Sequence, residues 1–146
     1  MSVEIFRGIP GVGKSTMARK AILHRNAQCV SADYYFTRSG RYEFNATLLP
    51  MAHAECLMTY VGLIRNDVRI VVDNTNLTVA EIAPYYALAQ AYGHDVKIIT
   101  YMRPPEDCIK TQVHAVPAET VRRMFNTLID EGDRMPRWWK HEIVYL

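Results

Sequence analysis

The residues with the clearest chemistry stand near the start of the chain, where Gly8-Ile9-Pro10-Gly11-Val12-Gly13-Lys14-Ser15 fits the pattern GxxxxGK[ST] without a mismatch. Glycine adopts backbone angles that other residues resist, so the amides from Gly11 to Ser15 can converge on one anion. A helix opening at Lys14 adds the positive end of its dipole at the same point. This arrangement suits the phosphates of ATP together with Mg2+. Lys14 reaches the β- and γ-phosphates, the Ser15 hydroxyl takes one position on the metal, and Thr16 caps the phosphate site from the first helical turn. Gly8, Pro10 and Val12 complete the loop. The bland alternative is a glycine-rich turn that only joins a strand to a helix. Against it stands a full-length match in register between the correct elements.

A phosphate loop does not say where a phosphoryl group goes. In parallel sheets, ligands sit beyond the carboxyl ends of the strands, and two carboxylates follow predicted strands here. Asp33 closes Val30-Ser31-Ala32-Asp33, and Asp73 opens Asp73-Asn74-Thr75-Asn76. Asp33 is the candidate general base, accepting the proton of an attacking hydroxyl; its alternative is an N-cap or Asx turn. Asp73 has three readings: organising magnesium-bound water, holding an acceptor, or bracing an arginine. Asn74-Thr75-Asn76 has a structural alternative as the cap of a helix beginning near Thr78. Arg38 and Arg41 flank Gly40 just beyond Asp33 and could meet a nucleic-acid backbone there. Tyr34, Tyr35 and Phe36 either stack a terminal base or pack into the core. His53 stands among apolar helical neighbours and reads as a core histidine. The tail, Arg134 to His141 with its two tryptophans, either grips a partner or packs over the sheet edge, the latter preferred.

The elements that must position these groups alternate along the chain. Strands are expected at Val3–Arg7, Gln28–Ala32, Val68–Val72 and Val96–Met102, with a weaker edge strand at Glu142–Tyr145. Helices are expected at Lys14–His24, Thr47–Arg65, Val79–Tyr92, Glu106–Thr111 and Glu119–Glu131, the third closing at Gly93. Such alternation predicts an α/β fold in three layers, with a parallel sheet of four to five strands covered on both faces. No repeat or linker divides the chain, so residues 1–146 read as one domain.

Composition narrows the partners. Basic and acidic residues nearly balance, 17 against 15, for a net charge of +2. That allows contact with a few phosphates but not the coating of a duplex. Three cysteines, Cys29, Cys56 and Cys108, lack metal-ligand spacing and suit a reducing, cytoplasmic setting. The N-terminus lacks the apolar core of a signal peptide, and no apolar run reads as long enough to cross a bilayer, so no membrane partner is expected. Self-association into a homo-oligomer stays open.

With these pieces in register, the chain resembles the P-loop polynucleotide 5′-hydroxyl kinases, which include the phage end-healing kinase and kinase-like domains of some animal proteins. The resemblance runs from Glu4 to about Phe125 and rests on Gly8 to Thr16, Val30-Ser31-Ala32-Asp33 and Val72-Asp73-Asn74-Thr75-Asn76-Leu77. The animal branch is closest, through Tyr42-Glu43-Phe44, Ala52-His53, Val113-His114-Ala115-Val116-Pro117 and Arg123-Met124. It implies ATP-dependent transfer to the 5′-hydroxyl of a DNA or RNA end. In that reading Asp33 is the base, Lys14 and Asp73 are catalytic, and Arg38, Arg41, Asp73, Thr75 and Asn76 border the acceptor. Three departures stand out. Phe36 replaces an arginine, with Arg38 or Arg41 as substitutes; Thr111-Gln112 replaces Arg-Asn; and the lid, about residues 103–118, is short and lacks its usual arginine. Lys110, His114, Arg103 and Arg122 are the available replacements, and Arg122 is assigned to the nucleotide. The alternatives are a kinase of nucleosides, nucleotides or other small alcohols, and a nucleotide-binding regulatory module with little turnover.

Overall fold

Strand residues of this chain alternate between two apolar faces, and that alternation builds the molecule. The computed structural model describes residues 1–146. Its strands are β1 (Ser2–Arg7), β2 (Gln28–Val30), β3 (Ile70–Asp73), β4 (Asp95–Met102) and β5 (His141–Tyr145). They form one sheet in the order β2-β3-β1-β4-β5, and every neighbouring pair is parallel. Val3, Ile5, Ile70, Val72, Val96 and Ile98 enter one buried cluster, while Phe6, Val71, Ile99 and Tyr101 enter the other. A period of two therefore serves two cores, as a sheet covered on both faces requires.

The helices α1 (Lys14–Arg25), α2 (Leu49–Ile64), α3 (Val79–Ala91), α4 (Pro105–Thr111) and α5 (Ala118–Gly132) supply the covers. Helices α2 and α3 bring Ala52, Cys56, Tyr60, Ile64, Ile82 and Tyr86 to the first cluster; α1, α4 and α5 bring Ala18, Ala21, Cys108, Val121 and Leu128 to the second. Full burial of one such aliphatic side chain contributes about 1.5–3 kcal/mol.

Several boundaries differ from expectation for local reasons. Strand β2 stops at Val30 because Ser31 caps a 3-10 turn over Ala32–Thr37, its Oγ accepting from the Asp33 amide at 3.2 Å. Helix α2 starts at Leu49, after a 3-10 turn at Ala46–Leu48 capped by Asn45. The stretch Ala46–Ile64, with mean hydropathy 1.2, does reach the length and composition that could cross a bilayer, contrary to the sequence expectation. Its Ala52, Cys56, Tyr60 and Ile64, four residues apart, instead form the stripe that enters the first cluster. The tail adds a full parallel strand, β5, beside β4. Before it, Trp139 stacks on Tyr86 at 4.7 Å between ring centres, whereas Trp138 is exposed.

Beneath the site lies a buried cation. Arg7, at the end of β1, donates to the Leu77 carbonyl at 2.9 Å, the Leu128 carbonyl at 2.6 Å and Thr100 Oγ1 at 3.3 Å. It links the central strand to the segment entering α3 and to α5. Burial pulls its pKa down to about 10, against the attraction of Glu131 and Glu81.

Candidate active site

The phosphate loop leaves β1 and is held on both sides. The Gly8 amide donates to the Thr75 carbonyl at 3.0 Å, and Asn76 Nδ2 donates to the Phe6 carbonyl at 2.7 Å. Asn76 takes a left-handed φ of 46° to do so. On the other side Thr111 Oγ1 lies 2.8 Å from the Gly11 carbonyl. Gly11 and Gly13 have φ of 84° and 111°, the region that favours glycine. A Cβ at Gly11 would stand 2.1 Å from the Cys108 carbonyl of α4, so the close approach also demands glycine.

Within this loop Lys14 Nζ donates to the carbonyls of Gly8 at 2.8 Å and Ile9 at 3.2 Å. Burial lowers the Lys14 pKa, opposed by the charges of Asp73 and then Asp33. Ser15 Oγ donates to Asp73 Oδ2 at 3.4 Å. Burial raises the Asp73 carboxyl above its ordinary value; Lys14 and Ser15 hold it back, and the Asp33 charge adds to the rise. The four groups thus form one coupled electrostatic set.

One cavity of about 470 Å³ contains them, lined by Pro10, Gly11, Gly13, Lys14, Ser15 and Thr16 with Asp33, Asp73 and Thr75. Asp33 is exposed, with its carboxylate toward this space rather than folded back as a cap; the caps nearby are Ser31 and Thr78. Thr78 takes the role weighed for Asn74-Thr75-Asn76, accepting from the Glu81 amide at 3.1 Å. Asn74 is buried and accepts from the Ala32 amide at 2.8 Å, which ties the Asp33 turn to the end of β3. Val12 is buried in the second core cluster, and Gly8, with a Cβ position only 2.9 Å from Val12 Cγ1, is buried beside it.

The expected cations are not brought together. Arg38 pairs with Glu55 and lies 4.2 Å from the centre of the Tyr35 ring, beside a separate smaller cavity. Arg41 pairs with Glu43 at 2.8 Å on the surface. Arg122, assigned above to the nucleotide, is held by Glu106 at 2.7 and 3.1 Å and by Glu119 at 3.5 Å; those carboxylates keep it on the outside of α5. Lys110 is exposed on α4 and does not line the cavity, and Arg103 lies near Thr111. Of the proposed lid residues, only His114 lines it, with Nε2 3.8 Å from Asp33 Oδ2.

Other lining residues were missed or misread. His53 is an exposed residue on the cavity wall, not a core histidine. Tyr34 and Tyr35 face the smaller cavity and Phe36 is buried, while Tyr42 and Phe44 line the main one. Thr111 and Gln112, noted only as departures, shape the lid. Gln112 Nε2 donates to the Val116 carbonyl at 2.6 Å and its Oε1 accepts from the Val116 amide at 2.8 Å, closing the turn.

A family model described as an AAA domain matches residues 3–128. The chain belongs to the AAA domain family. This AAA domain has the α/β P-loop fold, with the five-stranded parallel sheet described above. It is 32% identical over 127 residues, 82% of the chain, to human NEDD4-binding protein 2, and spans 7% of that protein's length. Among solved structures, one chain of the Pnkp1/Rnl/Hen1 RNA repair complex aligns with a TM-score of 0.76 at 19% identity, covering 92% of this chain and 46% of that one. A gluconokinase from Sinorhizobium meliloti 1021 aligns with a TM-score of 0.65 at 13% identity, covering 99% and 82%. A chain of the PezAT toxin–antitoxin system of Streptococcus pneumoniae aligns with a TM-score of 0.72 at 14% identity, covering 98% and 67%. The architecture shared with these structures is the α/β P-loop fold.

The donor set of this AAA domain fits a nucleotide and a hard cation. Left-handed glycines give the loop amides the curvature of an anion nest. Ser15 and Asp73 offer the oxygen ligands that magnesium takes in small number alongside phosphates. No group of three or more acidic, histidine or cysteine side chains forms an alternative metal site.

Proposed function

We propose that this domain transfers the γ-phosphoryl group of ATP to the 5′-hydroxyl of a DNA or RNA end. The observation that carries the reading is the position of Asp33. Its exposed carboxylate shares one cavity with Lys14, Ser15 and Asp73, but stands on a different strand end from the phosphate loop. Asp33 accepts the proton of the attacking hydroxyl, and Lys14 offsets charge on the β- and γ-phosphates. Asp73 orients Ser15 through their hydrogen bond. Magnesium, when bound at Ser15 and Asp73, supplies further charge neutralisation on the phosphates. The Asp-x-Thr-Asn-Leu segment at Asp73 to Leu77 and the likeness to a chain of an RNA repair complex support a polynucleotide acceptor.

A second reading, phosphorylation of a small alcohol, is favoured by one observation. Lys14 is the only lysine or arginine lining the cavity, so few cations meet an acceptor's phosphates. Incubation with magnesium, γ-labelled ATP and 5′-hydroxyl DNA, RNA, mononucleosides or sugar acids separates the two. Label is expected on oligonucleotides, falling by about 10²–10⁴-fold in Asp33→Asn with ATP binding retained. Label confined to small acceptors would replace the acceptor, and tight ATP binding without any transfer would overturn the kinase reading.

A further inference from the structure

Three sequence segments that the phosphate loop leaves unexplained meet at the acceptor side. Tyr42 and Phe44 come from the stretch after the Asp33 turn, His53 from α2, and His114 from the turn between α4 and α5; all line the main cavity. Their rings are ordered. The imidazole of His114 lies against the Tyr42 ring with centres 4.1 Å apart and planes at 30°. Phe44 stands beyond Tyr42 at 6.3 Å and 13°. The same imidazole faces the Asp33 carboxylate at 3.8 Å. Burial, and then Asp33 itself, push the Tyr42 phenol up to about 12, so the ring stays neutral.

His114 therefore makes two contacts at once: a flat ring on Tyr42, and a polar edge toward the candidate base. An acceptor nucleoside would need the same pair, its base on an aromatic face and its hydroxyl at Asp33. We infer that Tyr42 is the stacking platform for the 5′-terminal nucleobase and that His114 occupies this place until the acceptor displaces it. The inference rests on the kinase reading above and narrows its substrate to ends that carry a base on the first nucleotide. Stacking reads a π-face and tolerates any base, so little sequence preference follows. It also needs few cations, in keeping with a cavity wall in which Lys14 is the only one.

The test compares 5′-hydroxyl oligonucleotides, in DNA and in RNA, whose first residue is either an ordinary nucleotide or an abasic analogue. The native chain should show a KM about 10-fold higher for the abasic end. Tyr42→Ala should raise the KM for the ordinary end by about 10-fold and erase the difference, Tyr42→Phe should restore it, and the KM for ATP should not move. His114→Ala, on an exposed turn, should lower the acceptor KM by removing the competitor. Equal KM for both ends in the native chain overturns the inference while leaving the kinase reading standing. A raised acceptor KM in His114→Ala overturns the displacement. No label on any oligonucleotide overturns the kinase reading and this inference with it.

Discussion

At Gly11 the phosphate loop passes so close to α4 that no side chain fits, and the backbone is also left-handed there. Ala at this position meets a carbonyl 2.1 Å from its Cβ and carries the left-handed penalty of about 1–2 kcal/mol as well. Gly11→Ala should therefore lower stability by about 2 kcal/mol or more in urea denaturation and raise the KM for ATP, because the loop must move away from Thr111. A Gly40→Ala control, whose Cβ meets nothing within 4 Å despite a left-handed φ, should cost only the backbone part and leave ATP binding unchanged. At this scale the loop was fully legible, since the pattern itself demands glycine, lysine and serine at fixed spacing. Thr111 and Gln112 were not legible in their roles. The Thr111 bond to Gly11 depends on α4 returning to the loop from a hundred residues away, whereas the Gln112 bonds to Val116 close a local turn that no motif announces. His53 was misread for a related reason: apolar neighbours in sequence do not say which face of α2 turns toward the sheet.

Strand β5 shows what an edge element owes to a single polar contact. Burial lowers the His141 pKa from its ordinary 6.5, the nearby Arg7 charge lowers it further, and Glu142 opposes both. The ring nitrogen Nε2 lies 2.7 Å from Thr100 Oγ1, which also accepts from Arg7. Because the folded value is depressed, the fold prefers the neutral imidazole. That contribution is fully present above the unfolded value near 6.5 and is lost as pH falls through it toward the folded value. The Tm should accordingly drop between about pH 7 and pH 5 by more in the native chain than in His141→Gln, measured by circular dichroism. A parallel pH dependence in the two proteins would place the titration elsewhere. The sequence pointed only weakly to β5, since five residues of mixed polarity resemble many tails. The placement of the arginines was likewise hidden. Arg38 and Arg122 each have carboxylate partners on other turns or helices, at Glu55 and Glu106, and those pairings override proximity in sequence.

For the whole molecule, nucleotide binding and fold stability should be linked, because the phosphate loop, the Asn76 segment and α4 are tied to one another by the bonds at Gly8, Asn76 and Thr111. A ligand at about 100 times its Kd adds roughly 2.7 kcal/mol to a fold that alone binds it. For a chain of this size that corresponds to a Tm rise of about 5–10 °C. ATP with magnesium should produce it, chelation of the magnesium should reduce it, and Lys14→Ala should abolish it while the spectrum in the absence of ATP stays native. The architecture itself was readable because strands alternate with helices along the chain, and the central strands β1, β3 and β4 send apolar residues to both faces, as a sheet covered on two sides requires. Strand order was not readable, and it carries a consequence for synthesis. Strand β1 is first in sequence yet central in the sheet, flanked by β3 and β4. During translation the phosphate loop thus emerges before both neighbours and stays without them until residues 70–73 and then 95–102 have followed. Nascent chains shorter than this hold the whole nucleotide motif but no platform for it, so competence to grip ATP should arrive late and abruptly as the ribosome advances.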